Sequence, residues 1–309
     1  MKVFVAGATG AIGKRLLPQL VDAGHEVVAM TRHQDMAGTI YDLGAVPVIG
    51  DGLDRASTVA AVVRAQPDVV VHQMTGLAGV TDYRRWDDAF ALTNRLRVEG
   101  TDNLLEGARA AGAHRFVAQS FGNWNYERSG GPVKTEADPL DPEPPATMRR
   151  TLAAIRHLEH AVVYEASLDG IALRYGNLHG PGTSFASDGE MTRQVSHRRL
   201  PIIGDGAGVW SFVHVDDAAA ATVAAIEWGA PGVYNVVDDR PTAAADWLPQ
   251  LADALGAKPP RHIPTWLGRL AAGEAGVSLF TRIRGASNAK AKRELGWTPR
   301  HALWHGALA

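Results

Sequence analysis

The sequence predicts an α/β protein, a doubly wound parallel sheet with a smaller C-terminal substrate-binding region. Three observations lead there. The chain opens with a short apolar strand running directly into a glycine-rich turn. Its first half alternates β-branched runs with stretches of helical periodicity. Several of those runs are continuously apolar, as strands covered on both faces must be. Such a β-α-β-α order implies right-handed crossovers and helices on both sides of the sheet.

Taken in order, strands are expected at 2–6, 26–30, 46–49, 68–72, 115–119 and 170–174. Helices are expected at 12–23, 57–65, 94–111 and 149–165, with Pro18 bending or shortening the first. The proline-rich stretch 138–145 reads as a surface loop. After Arg174 the pattern loosens into Gly-Pro turns, so residues 1–172 are assigned to a nucleotide domain. A helix from Asp216 and a strand at 233–237 should return to it, placing 213–237 with the main sheet. The segments 173–212 and 238–309 then form the substrate side.

Composition narrows the partners. With Lys+Arg 31 against Asp+Glu 33, the net charge of −2 gives no electrostatic reason to bind nucleic acid or an anionic membrane. The longest nearly apolar run, 218–226, is far short of the ~18 residues that span a bilayer. There is no cysteine, which excludes disulfides, thiolate zinc sites and thiol nucleophiles. A cytoplasmic protein with a small-molecule substrate is expected, a homodimer being the one assembly considered.

The turn Gly7-Ala8-Thr9-Gly10-Ala11-Ile12-Gly13 lies between the first strand and the first helix. Its glycines let the chain bend sharply, bring a pyrophosphate to the backbone, and pack helix on strand, while the helix N-terminus supplies free N–H groups. This is a Rossmann-type dinucleotide site. After the second strand stands Met30-Thr31-Arg32-His33, with no carboxylate for the ribose. Arg32, aided by His33, suits a 2′-phosphate, so the cofactor expected is NADP(H). Asp51 and Gly52, after the third strand, are placed to meet the adenine.

These features resemble the extended short-chain dehydrogenase/reductase superfamily, the branch similar to NAD-dependent epimerases and dehydratases. Also carrying the likeness are Val70-Val71-His72, Thr93-Asn94, residues 99–104 and 115–120, Leu173-Arg174-Tyr175-Gly176-Asn177-Leu178-His179-Gly180-Pro181-Gly182, residues 212–218 and 294–299. The resemblance implies further cofactor contacts at Gln73, Met74, Thr75, Asn94 and Gln119. It implies substrate contacts at Asn177 and His179, with Met148 and Trp210 lining an apolar pocket alongside Trp86, Trp124, Met74 and Met191. Arg193, Arg198 and Arg199 are candidates to grip a diphosphate. No metal spacing is present among the histidines.

The family's chemistry rests on a Tyr with Lys four residues later, aided by a hydroxyl on the fifth strand. None of the six tyrosines here has that lysine, and residues 146–155, where the pair belongs, contain neither. Ser120 remains on the fifth strand, followed by Phe121. Ser120 and Tyr126 are therefore the catalytic candidates, with Lys134, His72, His179, His197 and His214 as other proton sources. Such departures are similar to the atypical members of the superfamily, among them reductases like the ketoreductase type of simocyclinone biosynthesis. An NADPH-dependent reductase is expected, acting on a carbonyl of a small, polyketide-like metabolite of secondary metabolism. A sugar-nucleotide epimerase or dehydratase, and an NmrA-like sensor without turnover, are the alternatives.

Overall fold

The computed structural model describes residues 1–77, 85–301 and 303. Seven parallel strands form the main sheet: β1 Lys2–Ala6, β2 Glu26–Thr31, β3 Val46–Ile49, β4 Val69–His72, β5 Arg115–Phe121, β6 Asp169–Tyr175 and β7 Gly232–Val236. Their order is β7-β6-β5-β4-β1-β2-β3, so the strand order reverses between β1 and β4. In open α/β sheets a ligand crevice lies outside the carboxyl ends of the strands at such a reversal.

Alternation along β1 builds both sides of the core. Val3 and Val5 join Leu16, Leu17 and Leu20 of helix α1 (Gly13–Asp22) and Ala218 and Ala221 of a helix at Val215–Glu227. Phe4 and Ala6 face the other way, toward Val62 of α2 (Arg55–Ala65), Leu104 of α3 (Thr101–Ala111) and Leu158 of α4 (Arg149–Val163). The helix Val215–Glu227, now α5, packs on α1. Pro18 lies inside α1 without ending it.

Three details differ from the sequence reading. The helical run expected at 94–111 begins at Ala91 and is interrupted by a π turn, Leu96–Gly100, before α3. The domain boundary at 172 falls inside β6, which continues to Tyr175. The tail does not stay on the substrate side. Ala291, Leu295 and Trp297 enter the core shared by β1, α1 and α5, and Trp297 donates its indole N–H to the Asp217 carbonyl at 3.0 Å. Residues 215–227 form α5 against the main sheet, and 232–236 form its edge strand β7.

A second apolar cluster lies beyond the carboxyl ends of the strands. It combines Trp86, Trp124, Met148, Ile155, Phe185, Trp210, Phe212 and Trp247. Short strands at Asn177–His179 and Phe212–His214 pair in parallel and link this cluster to the sheet. No helix among the described residues is long and apolar enough to cross a membrane.

Candidate functional site

The three glycines of the first turn have different surroundings. Gly7 has φ +93°, and a Cβ there would collide with the Gln73 backbone at the end of β4. A Cβ on Gly13 would strike the carbonyl oxygens of Gly7 and Ala8. Gly10 is exposed, and a Cβ there would meet only the Gly7 carbonyl oxygen at 3.4 Å. The outer glycines are thus needed for packing, and the middle one borders open space. Ile12, at the N-cap of α1, is buried and caps nothing with its side chain, and no acidic residue occupies the first turn. That leaves a helix N-terminus suited to an anionic group, with Thr9 and Ala11 half-buried beside it. The residues present fit a dinucleotide pyrophosphate.

Arg32 and His33 are exposed past β2, with Arg32 Nε 3.1 Å from His33 Nε2. Asp51 Oδ1 accepts the Leu53 N–H at 3.0 Å, and Asn103 Nδ2 holds the Gly52 carbonyl at 2.9 Å. Met74 packs so closely on Gly52 that a Cβ at Gly52 would overlap its sulfur. Gln73 is turned inward: its Nε2 donates to the Tyr175 hydroxyl at 3.0 Å, so only its backbone faces the glycine turn. Thr75 is exposed and Gln119 is half-buried on β5. Asn94 Nδ2 donates to Thr151 Oγ1 at 3.1 Å, and Thr151 in turn donates from N and Oγ1 to Asp87 Oδ1, each at 2.8 Å. Thr151 and Ile155 on α4 are both buried, within the stretch 146–155 that holds neither tyrosine nor lysine.

Ser120 and Tyr126 lie below the surface. Ser120 Oγ donates to Glu159 Oε1 at 2.6 Å. Glu159 is held by Arg174 through Nε at 2.7 Å and Nη2 at 2.6 Å, with side-chain exposures of only 8% and 6%. Arg174 Nη1 donates to the Tyr126 hydroxyl at 3.0 Å, and that hydroxyl donates to Asn235 Oδ1. Burial pushes the Tyr126 phenol up to about 12. Both hydroxyl protons are given to internal partners in this structure.

The other proton candidates are likewise engaged. His72 Nδ1 accepts the Met74 N–H at 3.1 Å, which puts the ring proton on Nε2, donated to the Leu96 carbonyl at 3.1 Å. Burial lowers its pKa from 6.5 to about 4, so it is neutral. His179 is buried and lowered to about 3. His214 Nδ1 caps α5 through the Asp216 N–H at 3.2 Å. Lys134 is buried and paired with Asp138 at 3.2 Å. His197 Nδ1 sits 2.8 Å from the Arg193 carbonyl.

On the substrate side, Met148 and Trp210 do share one cluster, with Trp210 Nε1 donating to the Leu279 carbonyl at 2.9 Å. Trp86 stacks on Phe90 at 4.6 Å and meets Trp124 edge-on at 5.5 Å. Asn177 is tied through N and Nδ2 to the Ser211 carbonyl, at 2.8 and 3.1 Å. Two of the three arginines offered for a diphosphate are used locally: Arg193 pairs with Glu190 at 2.8 Å and Arg198 donates to the Pro259 carbonyl at 2.7 Å. Ligand atoms of His214, Asp216 and His301 lie within 4.8 Å of one another, but His301 is itself paired with Asp217 at 3.0 Å.

Sequence reasoning missed Asp87, Arg97, Thr151 and Glu159. A lone Glu or Arg on an otherwise apolar helix face was the available signal.

A model of the family described as NAD dependent epimerase/dehydratase matches residues 3–236. A 3-diazoavenalumate denitrifying reductase from a Streptomyces species is 45% identical, covering 100% of this chain and 99% of that protein. A 4-hydroxy-2-methyl-3-oxo-4-farnesyl-3,4-dihydroquinoline-1-oxide ketoreductase from Stigmatella aurantiaca is 28% identical over 97% of this chain and 92% of that one. Among solved structures, the Thermus thermophilus UDP-glucose 4-epimerase in complex with NAD superposes with a TM-score of 0.76 at 23% identity, covering 100% and 97%.

Two predictions follow from this geometry. Gly10→Val should leave the protein folded and abolish dinucleotide binding, whereas Gly13→Val should destabilise the fold itself; calorimetry and thermal melts separate the two. Unchanged dinucleotide affinity in folded Gly10→Val would disprove the placement. For His72, the folded-state pKa lies below the unfolded value, so the unfolded chain takes up the extra proton as pH falls from 6.5 toward 4. Between pH 6.5 and 5 this should remove about 2 kcal/mol of stability. His72→Gln keeps a donor for Leu96 and an acceptor for Met74 and should lose correspondingly less in denaturant titrations at the two pH values.

Proposed function

Because the chain belongs to the NAD dependent epimerase/dehydratase family, we propose that it is an NADPH-dependent reductase whose substrate is an electrophilic aromatic acid that needs no proton from the protein, an aryl diazo acid above all. The observation that carries this reading is the commitment of Ser120, Tyr126, His72 and Lys134 to internal partners.

Proton economy separates the candidate reactions. A ketone gains a hydride at carbon and a proton at oxygen, and enzymes of that kind place an acid at the oxygen. An arenediazonium gains a hydride at the ring carbon while the C–N bond breaks and dinitrogen leaves with the bonding pair. Arene and dinitrogen are the products, the nicotinamide is oxidised, and no proton enters. When bound, the reduced nicotinamide supplies the hydride. The protein's part is to hold the two reactants in line and keep water out.

The relative sharing 45% identity over the full chain is named for a diazo substrate and a denitrifying reduction, which supports the same chemistry here. The apolar cluster of Trp86, Trp124, Met148 and Trp210 suits a flat aromatic ring. A second reading, reduction of a ketone with water or the substrate as proton source, is favoured by the ketoreductase relative. The absence of both tyrosine and lysine from residues 146–155 speaks against epimerisation through a tyrosine on α4.

The decisive assay offers NADPH with 3-diazoavenalumate and, separately, with a panel of aryl ketones. We expect NADPH oxidation matched by dinitrogen release, and Tyr126→Phe and Ser120→Ala each to retain activity within about tenfold, well short of the ~10²–10⁴-fold loss that follows removal of an acid catalyst. Turnover of ketones alone would establish the second reading, and a thousandfold loss in either variant would restore that residue as the acid.

Arg32 sets the cofactor. A hydrogen bond to a charged group is worth ~1.5–3 kcal/mol, which is roughly a 10- to 150-fold preference for NADPH over NADH. Arg32→Ala should lose that factor for NADPH and leave NADH nearly unchanged, measured as Kd at fixed salt. Equal affinities in the parent protein would make Arg32 a surface residue only.

A further inference from the structure

Arg97 is 4% exposed, yet among the described residues its guanidinium makes no hydrogen bond or ion pair, and Nη1 is fully enclosed without a partner. A buried cation of this kind is strongly disfavoured unless something compensates it. The nearest carboxylate that it senses is Glu159. Glu159 is already occupied by two bonds from Arg174 and one from Ser120. His72 close by is neutral and cannot compensate. Among the described residues, Arg97 is therefore left without a carboxylate of its own.

The position of Arg97 gives that charge a purpose. The π turn Leu96–Gly100 is fixed over the carboxyl end of β4, because His72, the last residue of that strand, holds the Leu96 carbonyl at 3.1 Å. The same turn packs on α4. Asn94, one turn earlier, meets Thr151, so Arg97 faces the stretch of α4 that carries Ile155 and Glu159. The carboxyl ends of the strands, beside the reversal between β1 and β4, are where a dinucleotide lies. Residues 146–155 hold no lysine, and Ile155 there is 1% exposed. A cation is present all the same, supplied by the neighbouring helical run.

We propose that Arg97 binds a ligand oxygen at the hydride-transfer end of the cleft, through donors that no described residue uses. Guanidinium offers five N–H donors in a planar fork matched to a carboxylate or a vicinal diol. Two ligands carry such oxygens there, the ribose hydroxyls next to the nicotinamide and the carboxylate of an acidic substrate. The proposal rests on the dinucleotide reading of the cleft, and its substrate arm rests also on the reaction proposed above.

Arg97→Met and Arg97→Lys test it, with thermal melts of the ligand-free protein and Kd values for NADPH and for 2′,5′-ADP, which lacks the nicotinamide half. Removing an uncompensated charge should hold or raise the melting temperature in Arg97→Met. If the ribose is the source, NADPH weakens at least tenfold while 2′,5′-ADP binds as before. If the substrate is the source, both nucleotides bind as before, and KM for 3-diazoavenalumate rises at least tenfold, whereas KM for its methyl ester does not. Arg97→Lys should recover part of either loss. A lower melting temperature with unchanged NADPH affinity and unchanged KM would overturn the proposal and make Arg97 a packing residue. Should Arg97→Met not fold, Arg97→Lys decides alone: its shorter point charge must alter one of the two affinities, and no change in either overturns the idea. A parent protein that binds neither NADPH nor 2′,5′-ADP would instead defeat the dinucleotide reading.

Discussion

The buried pair of Glu159 and Arg174 ties together the parts on which the cleft is built. Arg174 is on β6 and Glu159 is on α4, and the pair reaches Ser120 on β5, Tyr126 in the following loop and, through Tyr126, Asn235 on β7. Three adjacent strands and one helix are thereby fixed relative to one another at their carboxyl ends. Two charges this deeply buried are costly to desolvate, and their bidentate geometry with all oxygens satisfied is what makes the arrangement tolerable. The pair's contribution is better seen as geometric than as net stability, since it allows only one register between α4 and the sheet.

That framework also sets what chemistry is open to the site. Hydroxyls that hold a framework together have their protons spoken for, and a phenol raised to about 12 is a poor donor. The histidines within reach are neutral or used as caps. With those hydroxyls and histidines engaged among the described residues, the reduction proposed above is one in which the electrophile arrives already activated. The reductase relatives and the aromatic cluster point the same way.

Much of the fold was legible because its signals are local. Each central strand is a short apolar run, and the glycine turn follows directly from β1. The differing needs of Gly7, Gly10 and Gly13 were only partly readable, since Gly7 is constrained by Gln73, far along the chain. The π turn was not legible at all: it is held by His72, 24 residues from Leu96, and nothing in 94–111 breaks a helical pattern. Glu159 looked like one more polar residue on a helix, and its partner is 15 residues away on a strand. Tyr126 was picked out for its place after β5, but its burial depends on Asn235, at 109 residues' separation. Local pattern finds elements, whereas the committed or free state of a side chain is decided by contacts across the sheet.

The route of the chain through the nucleotide-binding unit has a consequence for how the protein is made. The chain leaves the main sheet after Tyr175, returns for α5 and β7, leaves again, and comes back at Ala291, Leu295 and Trp297. Asp217 then gathers the backbone N–H groups of Arg300 and His301 at 3.1 and 3.0 Å. Emerging from a ribosome, the first half holds most of the parallel strands, yet its α1 face lacks α5 until residue 227 has been synthesised, and the shared core lacks Ala291, Leu295 and Trp297 until later still. A domain that is continuous in space but interrupted in sequence cannot close vectorially. Its apolar α1 surface stays open until α5 is made, so a nascent chain stalled before Val215 is the form most prone to associate with itself or to recruit a chaperone.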